Sequence, residues 1–159
     1  SRIADAITGA GDATLFSGVN SSGVLYAEIA AFAGDGTYRG IAISDGSTTN
    51  RVLLYYMPTS NQIQTYFEVN GTYSATLSHT LSDATDFAKV ALKWSTDDFA
   101  LWVNGVEVAT DNSGVTFPAS TLTTLQFADG NSSNNFYGKT KAVAVFDYLS
   151  DTEMVTLTT

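Results

Sequence analysis

The chain is expected to be all-β, with two antiparallel sheets packed as a jelly-roll sandwich, and three observations predict that class. The first is the stretch Phe87 to Thr110, FAKVALKWSTDDFALWVNGVEVAT. There Val90, Leu92 and Trp94 alternate with Lys89, Ala91 and Lys93, then Phe99, Leu101 and Val103 with Ala100, Trp102 and Asn104. Period two marks half-buried strands. Asn104-Gly105 tolerates the positive φ values of a type I′ turn, so Val106 to Thr110 should fold straight back as a hairpin partner. The second is that about ten or eleven such short runs, separated by turn signals, fill the chain. The third is that no long helical pattern and no βαβ alternation interrupts them, which leaves packed antiparallel sheets.

Taken in order, Ser1 to Asp12 is small and weakly patterned, with Ala4, Ile7 and Ala10 as candidate anchors, and reads as irregular. Val24 to Phe32 is a strand with Leu25, Ala27, Ile29 and Ala31 on one face and Tyr26 and Glu28 on the other. Asp35-Gly36 turns it into Tyr38 to Ser44. Asp45-Gly46 and the residues to Asn50 form a loop, and Arg51 to Met57 is the next strand, bounded by Pro58 and Asn61. Gln62 to Val69 alternates cleanly, with Ile63, Thr65, Phe67 and Val69 opposite Gln62, Gln64, Tyr66 and Glu68. Asn70-Gly71 is a second type I′ turn, leading into Tyr73, Ala75 and Leu77.

Ser78 to Asp86 reads as a polar link to the central meander, with His79 in that loop. After it come a loop holding Asn112, Gly114 and Pro118, a strand at Leu122 to Phe127, and an exposed loop DGNSSNN from Asp129 to Asn135. Phe136 to Asp147 contains the continuous apolar run Ala142 to Phe146, a pattern expected of a strand covered on both faces. Ser150-Asp151-Thr152-Glu153 has capping-box spacing, which suits a short closing helix.

The 159 residues fit one domain, 1–159, and a chain near this size buries roughly 68–70% of its unfolded surface without staples. Cysteine is absent, which removes disulfides and thiolate metal sites. No run approaches the ~18 apolar residues of a membrane span. Seven Lys and Arg against sixteen Asp and Glu give a formal charge of −9, without the clustered basic patch that nucleic acid needs. A low charged fraction with abundant Ser, Thr, Asn and Gly is the composition of an extracellular or virion β-protein. Ser1 follows no visible targeting segment, so such a segment is expected to be cleaved or to lie outside this sequence, and the domain is expected to belong to a larger parent chain. An N-terminal strand left in that parent would expose a sheet edge.

The run DFAKVALKWSTDDFALWVNGVEVAT resembles the central signature of laminin-G-like domains of the concanavalin A-like superfamily, with Phe87 where a tryptophan is usual and Trp102 where a tyrosine is usual. NNFYGKTKAVAVFDYLSDTEMVTL resembles the closing strand and ending of the same family. SRIADAI, GVLYAEI and SDGSTTNRVLLYY look like the version found in bacteriophage tail, fibre and appendage proteins. These motifs are structural, and none is a catalytic signature. The resemblance implies carbohydrate or receptor binding, with a cell-surface polysaccharide or glycan receptor as partner, and a calcium ion at the sandwich rim. In a fibre it also implies a homo-oligomer, a trimer.

Calcium takes several oxygen ligands. Asp129, Asn131, Asn134 and Asn135 supply oxygens within one loop, with Asp35, Asp45 and Asp111 in others, although none has EF-hand spacing and such pieces also serve simply as turns. For sugar binding, strand parity places Tyr26, Tyr55, Tyr66 and Trp102 on non-core faces, more large aromatics than scattered surface positions require. Gln62, Gln64, Glu68 and Lys93 are the candidate polar partners. Loops or a neighbouring subunit would cover such faces equally well.

Enzymatic chemistry finds little support. The four glutamates, Glu28, Glu68, Glu107 and Glu153, are dispersed, with none of the paired alternation by which jelly-roll glycanases flank one bond. Asp97 and Asp98 point to opposite faces of a strand. His79 has neither a cysteine nucleophile nor a serine elbow beside it. The reading is therefore a non-catalytic glycan- or receptor-binding module of a virion or other secreted protein. The competing one is a structural or decoration domain of a virion assembly with no sugar ligand.

Overall fold

A computed structural model describes residues 11–34 and 36–159. The expected anchors Ala4, Ile7 and Ala10, and Asp35, lie outside the described residues. Among the described residues ten strands run in the order β1 (Ser22–Ala31), β2 (Arg39–Ser44), β3 (Arg51–Tyr56), β4 (Gln62–Val69), β5 (Thr72–Thr80), β6 (Ala88–Ser95), β7 (Asp98–Val103), β8 (Val106–Asp111), β9 (Thr124–Gln126) and β10 (Gly138–Phe146). A closing helix α1 (Asp151–Thr158) follows them. They form two antiparallel five-stranded sheets, β10-β1-β6-β7-β8 and β5-β4-β3-β2-β9, packed as a jelly-roll sandwich.

The inward residues of both sheets make one core in which Phe67 meets Trp94 and Phe99 at ring distances of 6.3 and 5.0 Å. Trp94 is fully buried, and its indole Nε1 donates to Val19 O at 2.9 Å, so its burial leaves no orphan donor. The hairpin turns carry positive φ at Asn70, Gly71, Asn104 and Gly105, as the type I′ reading requires.

Two expectations are corrected here. His79 is not in a loop: β5 continues through Thr80 and pairs His79 with Ile63. The strand expected over Leu122 to Phe127 shrinks to Thr124–Gln126 because its flanking backbone groups are used elsewhere. The Leu122 N–H donates to the buried Asn20 side chain, and Phe127 O accepts from Phe136 N.

The helix packs on the outer face of the first sheet. Ser150 caps it in a full capping box, with Glu153 Oε2 accepting from Ser150 N at 2.8 Å. Met154 is buried on Val24, Tyr26, Ala91, Ala100 and Trp102, beside Ala142, Ala144 and Phe146. The run Ala142 to Phe146 is covered on both sides, with Val143 and Val145 facing the main core. Lys93 ties the helix down, its Nζ lying 2.9 Å from Asp151 Oδ1 and 3.4 Å from Asp98 Oδ2.

Candidate functional site

Among the described residues no helix packs on the outer face of the second sheet. This face carries tyrosines from successive strands, so their spacing follows the ~4.8 Å separation of neighbouring strands. Tyr38, just before β2, lies 5.3 Å from Tyr55 on β3, Tyr55 lies 6.0 Å from Tyr66 on β4, and Tyr66 lies 5.0 Å from Tyr73 on β5. Tyr38 and Tyr73, at the ends of the row, are 44% and 56% exposed, whereas Tyr55 is only 7% exposed.

Local backbone devices build this row. In the β4–β5 ladder Phe67 pairs with Ala75 but Glu68 pairs with Tyr73, so Ser74 is the extra residue of a bulge. Unbroken alternation would turn Tyr73 inward with Ala75 and Leu77; the extra residue places it beside Tyr66. Ser74 Oγ is held by Val115, donating to its carbonyl at 2.6 Å and accepting from its N–H at 2.7 Å. Under Tyr55 sits its strand partner Gly40, where an added Cβ would meet Tyr55 Cε1 at 2.9 Å and Leu53 Cδ1 at 3.1 Å.

A polar wall stands beside Tyr55. The 129–135 segment bridges to β2, with Gly40 N donating to Asn134 O at 2.9 Å and Ser44 Oγ to Gly130 O at 3.2 Å. Although expected to be exposed throughout, the segment keeps Asp129 and Gly130 buried against the sheet. Asn134 Nδ2 donates to Asp129 Oδ2 at 2.8 Å and to Tyr55 Oη at 3.2 Å. Burial, then the Asp129 charge, pushes the Tyr55 phenol up to about 12. Tyr66 is raised mainly by burial. Both are therefore neutral donors and acceptors at physiological pH. Tyr66 Oη donates to Gln64 Oε1 at 2.8 Å, and Glu68 Oε2 accepts from Arg51 Nε at 2.9 Å.

The expected aromatic set is thus divided. Tyr55, Tyr66, Gln64 and Glu68 come together, and Gln62 shares their strand face. Tyr26 and Trp102 also lie on a non-core face, but of the other sheet and beneath α1 with Lys93 beside it, so they stand apart from the first four. Parity tells which side of a sheet a residue takes, not what covers that side. Tyr38, whose parity with Gly40 marks it for the same face, and Tyr73, whose alternation the bulge breaks, join the row without being among the expected aromatics.

The 129–135 loop does not fit calcium as arranged. Asp129 Oδ1 accepts from Asn131 N and Ser133 N, Asp129 Oδ2 faces Asn134 Nδ2 and Tyr55 Oη, and Asn131 Oδ1 accepts from Ser133 N. These oxygens meet N–H and O–H donors, the geometry of a turn staple. Asp45 and Asp111 make similar turns with Ser47 and Ser113. Among the described residues no three His, Cys, Asp or Glu side chains gather as a metal site. Each of three glutamates already has a partner: Glu28 is paired with Lys141, Glu68 with Arg51, and Glu153 with the helix cap.

This geometry defines a two-sheet sandwich with one helix-covered face and one face whose tyrosine row is buried at Tyr55 and exposed at its two ends, Tyr38 and Tyr73. A laminin-G model of the Concanavalin A-like lectin/glucanases superfamily matches residues 9–155, and the chain belongs to that superfamily. No curated protein matches it in sequence. Among solved structures, it is similar to the Ruminococcus gnavus IT-sialidase CBM40 bound to alpha2,3 sialyllactose, with TM-score 0.73 and 18% identity, covering 99% of this chain and 97% of that one. A native heptameric SAP-like pentraxin from Limulus polyphemus gives TM-score 0.63 and 15% identity over 86% of this chain and 69% of that one. A botulinum neurotoxin type C, whose cell entry depends on interaction with two ganglioside molecules, gives TM-score 0.62 and 12% identity over 87% of this chain and 35% of the toxin chain. At these identities the likeness establishes the fold. No helix among the described residues is long and apolar enough to cross a membrane.

Proposed function

We propose that this domain is a non-catalytic glycan-binding module, and that the tyrosine row Tyr38, Tyr55, Tyr66 and Tyr73 is its ligand face. The single observation that carries the reading is that row, exposed at Tyr38 and Tyr73 and half-buried at Tyr66 on one sheet, while the matching face of the other sheet lies beneath a helix. Aromatic rings present a slightly negative face to the slightly positive C–H side of a sugar ring, and their hydroxyls reach its rim. Gln64, Asn134 and the phenols supply neutral hydrogen-bonding groups for sugar hydroxyls. One of the similar structures is bound to alpha2,3 sialyllactose and another is of a toxin whose cell entry depends on interaction with gangliosides, which supports a sugar as the kind of ligand. The sequence resemblance to phage tail and fibre domains supports host-surface attachment from a virion, outside the cell, as the setting, with a homo-oligomeric fibre as the assembly.

The test is retention of the purified domain on a panel of bacterial surface polysaccharides and host cells. Saturable binding is expected for at least one of them, weakened about tenfold or more by Tyr66→Ala, the loss typical of a central aromatic anchor. Binding by none, with Tyr66→Ala instead lowering assembly, would replace this reading with a structural domain whose tyrosines meet a neighbouring copy.

A further inference from the structure

We propose that the saccharide taken by this face is uncharged, and that Glu68 enforces this by occupying Arg51, the cation the fold places there; the inference rests on the glycan-binding reading above. An acidic sugar needs a cation free to receive its carboxylate or sulfate. The positive charges of the described chain are segregated away from the tyrosine row. Lys89 and Lys93 lie on β6 and Lys139 and Lys141 on β10, all in the opposite sheet. Arg39 turns to the interior side, in register with the core residue Tyr56, and donates Nη1 to Ala33 O at 3.2 Å. That leaves Arg51, and all three of its guanidinium nitrogens have protein acceptors. Nε and Nη2 each lie 2.9 Å from Glu68 Oε2, and Nη1 donates to Asp129 O at 2.7 Å. The pair is nearly closed to solvent, the two side chains being 9% and 12% exposed. An anionic sugar drawing on Arg51 would strand a Glu68 carboxylate with little water to replace its partner. The Asp129 carboxylate beside Tyr55 and a net charge of −9 add repulsion. What the face offers instead is neutral: ring faces, phenols and amides.

The experiment is affinity electrophoresis of the domain against neutral galactans, glucans and mannans, and against acidic counterparts, namely sulfated galactan, alginate and polysialic acid, at low and moderate salt. The expected result is retention by at least one neutral polymer, about tenfold tighter than by any acidic one, insensitive to salt and lost in Tyr66→Ala. Glu68→Ala, or Glu68→Ser if the alanine variant fails to fold, is expected to release Arg51 and gain about tenfold for an acidic polymer. Salt-sensitive retention by an acidic polymer that equals or exceeds every neutral one, and that Tyr66→Ala abolishes, would overturn the neutral-sugar inference while leaving the glycan face standing. So would a folded Glu68 variant with no gain. Retention by no polymer would overturn both.

Discussion

Tyr55 is the most constrained member of the tyrosine row, and its constraints can be tested singly. Its ring covers Gly40, and such a ring over a strand glycine shields backbone that has no side chain of its own. Gly40→Ala places a methyl group 2.9 Å from Cε1, so the ring must move. The expected outcome is a stability loss of about 1–3 kcal/mol from overpacking, seen in urea melts, with sugar affinity falling several-fold in titrations because Tyr38 and Asn134 both contact the displaced ring. The phenol carries a pH signature as well. Its folded value, raised from 10.0 to about 12, means that the neutral form is favoured in the folded state. Tyr55 therefore contributes stability that is complete below pH 10 and is lost as pH rises toward about 12. Lys93 acts in the same direction. Burial disfavours its charge, but its bond to Asp151 and the Asp98 charge outweigh this and raise it above 10.5, so its contribution is also lost only in alkali. Thermal melts followed alongside phenolate absorbance are expected to be flat from neutrality to about pH 9.5 and to fall beyond it; a fall centred near neutrality would contradict the assignment.

At the scale of elements, α1 separates a structural aromatic face from an open one, and two kinds of contact hold it. Lys93 reaches Asp151 and Asp98, but those carboxylates are 68% and 47% exposed. Solvent screens such a pair to roughly 0–1 kcal/mol. Met154 is fully buried on Tyr26 and Trp102, and removing a buried methionine costs about 2–5 kcal/mol. Packing therefore decides the docking. Lys93→Met is expected to lower stability by no more than about 1 kcal/mol, and Met154→Ala by at least about 2 kcal/mol, in chemical denaturation; the reverse order would contradict this account of the helix. The bulge at Ser74 is the counterpart device on the other sheet, an inserted residue that re-aims one side chain toward solvent.

Across the whole molecule, legibility in the sequence followed the physics of each signal. Alternation over Gln62 to Val69 is strict because β4 is buried on one face and half-open on the other, so Tyr66, Gln64 and Glu68 could be read directly. The capping box at Ser150 and the type I′ turns are local chemistry and were equally plain. Tyr73 was hidden because a bulge leaves no mark on composition. Parity places Tyr26 and Trp102 on the correct side of their sheet but does not reveal what covers that side, which depends on a helix arriving from more than forty positions beyond Trp102. On the reading proposed above, one outer face recognises sugar and the other holds the fold together. The measurement that tests it most directly is a paired calorimetric titration of Tyr66→Ala and Trp102→Ala with a polysaccharide the native domain binds, each variant also melted. Tyr66→Ala is expected to stay folded, with a smaller loss of stability than Trp102→Ala because its ring is only half-buried, and to lose affinity about tenfold or more. Trp102→Ala is expected to lose about 3–5 kcal/mol of stability and keep its affinity while folded. Affinity lost in Trp102→Ala and kept in Tyr66→Ala would contradict the account and move the ligand to the helix-covered face.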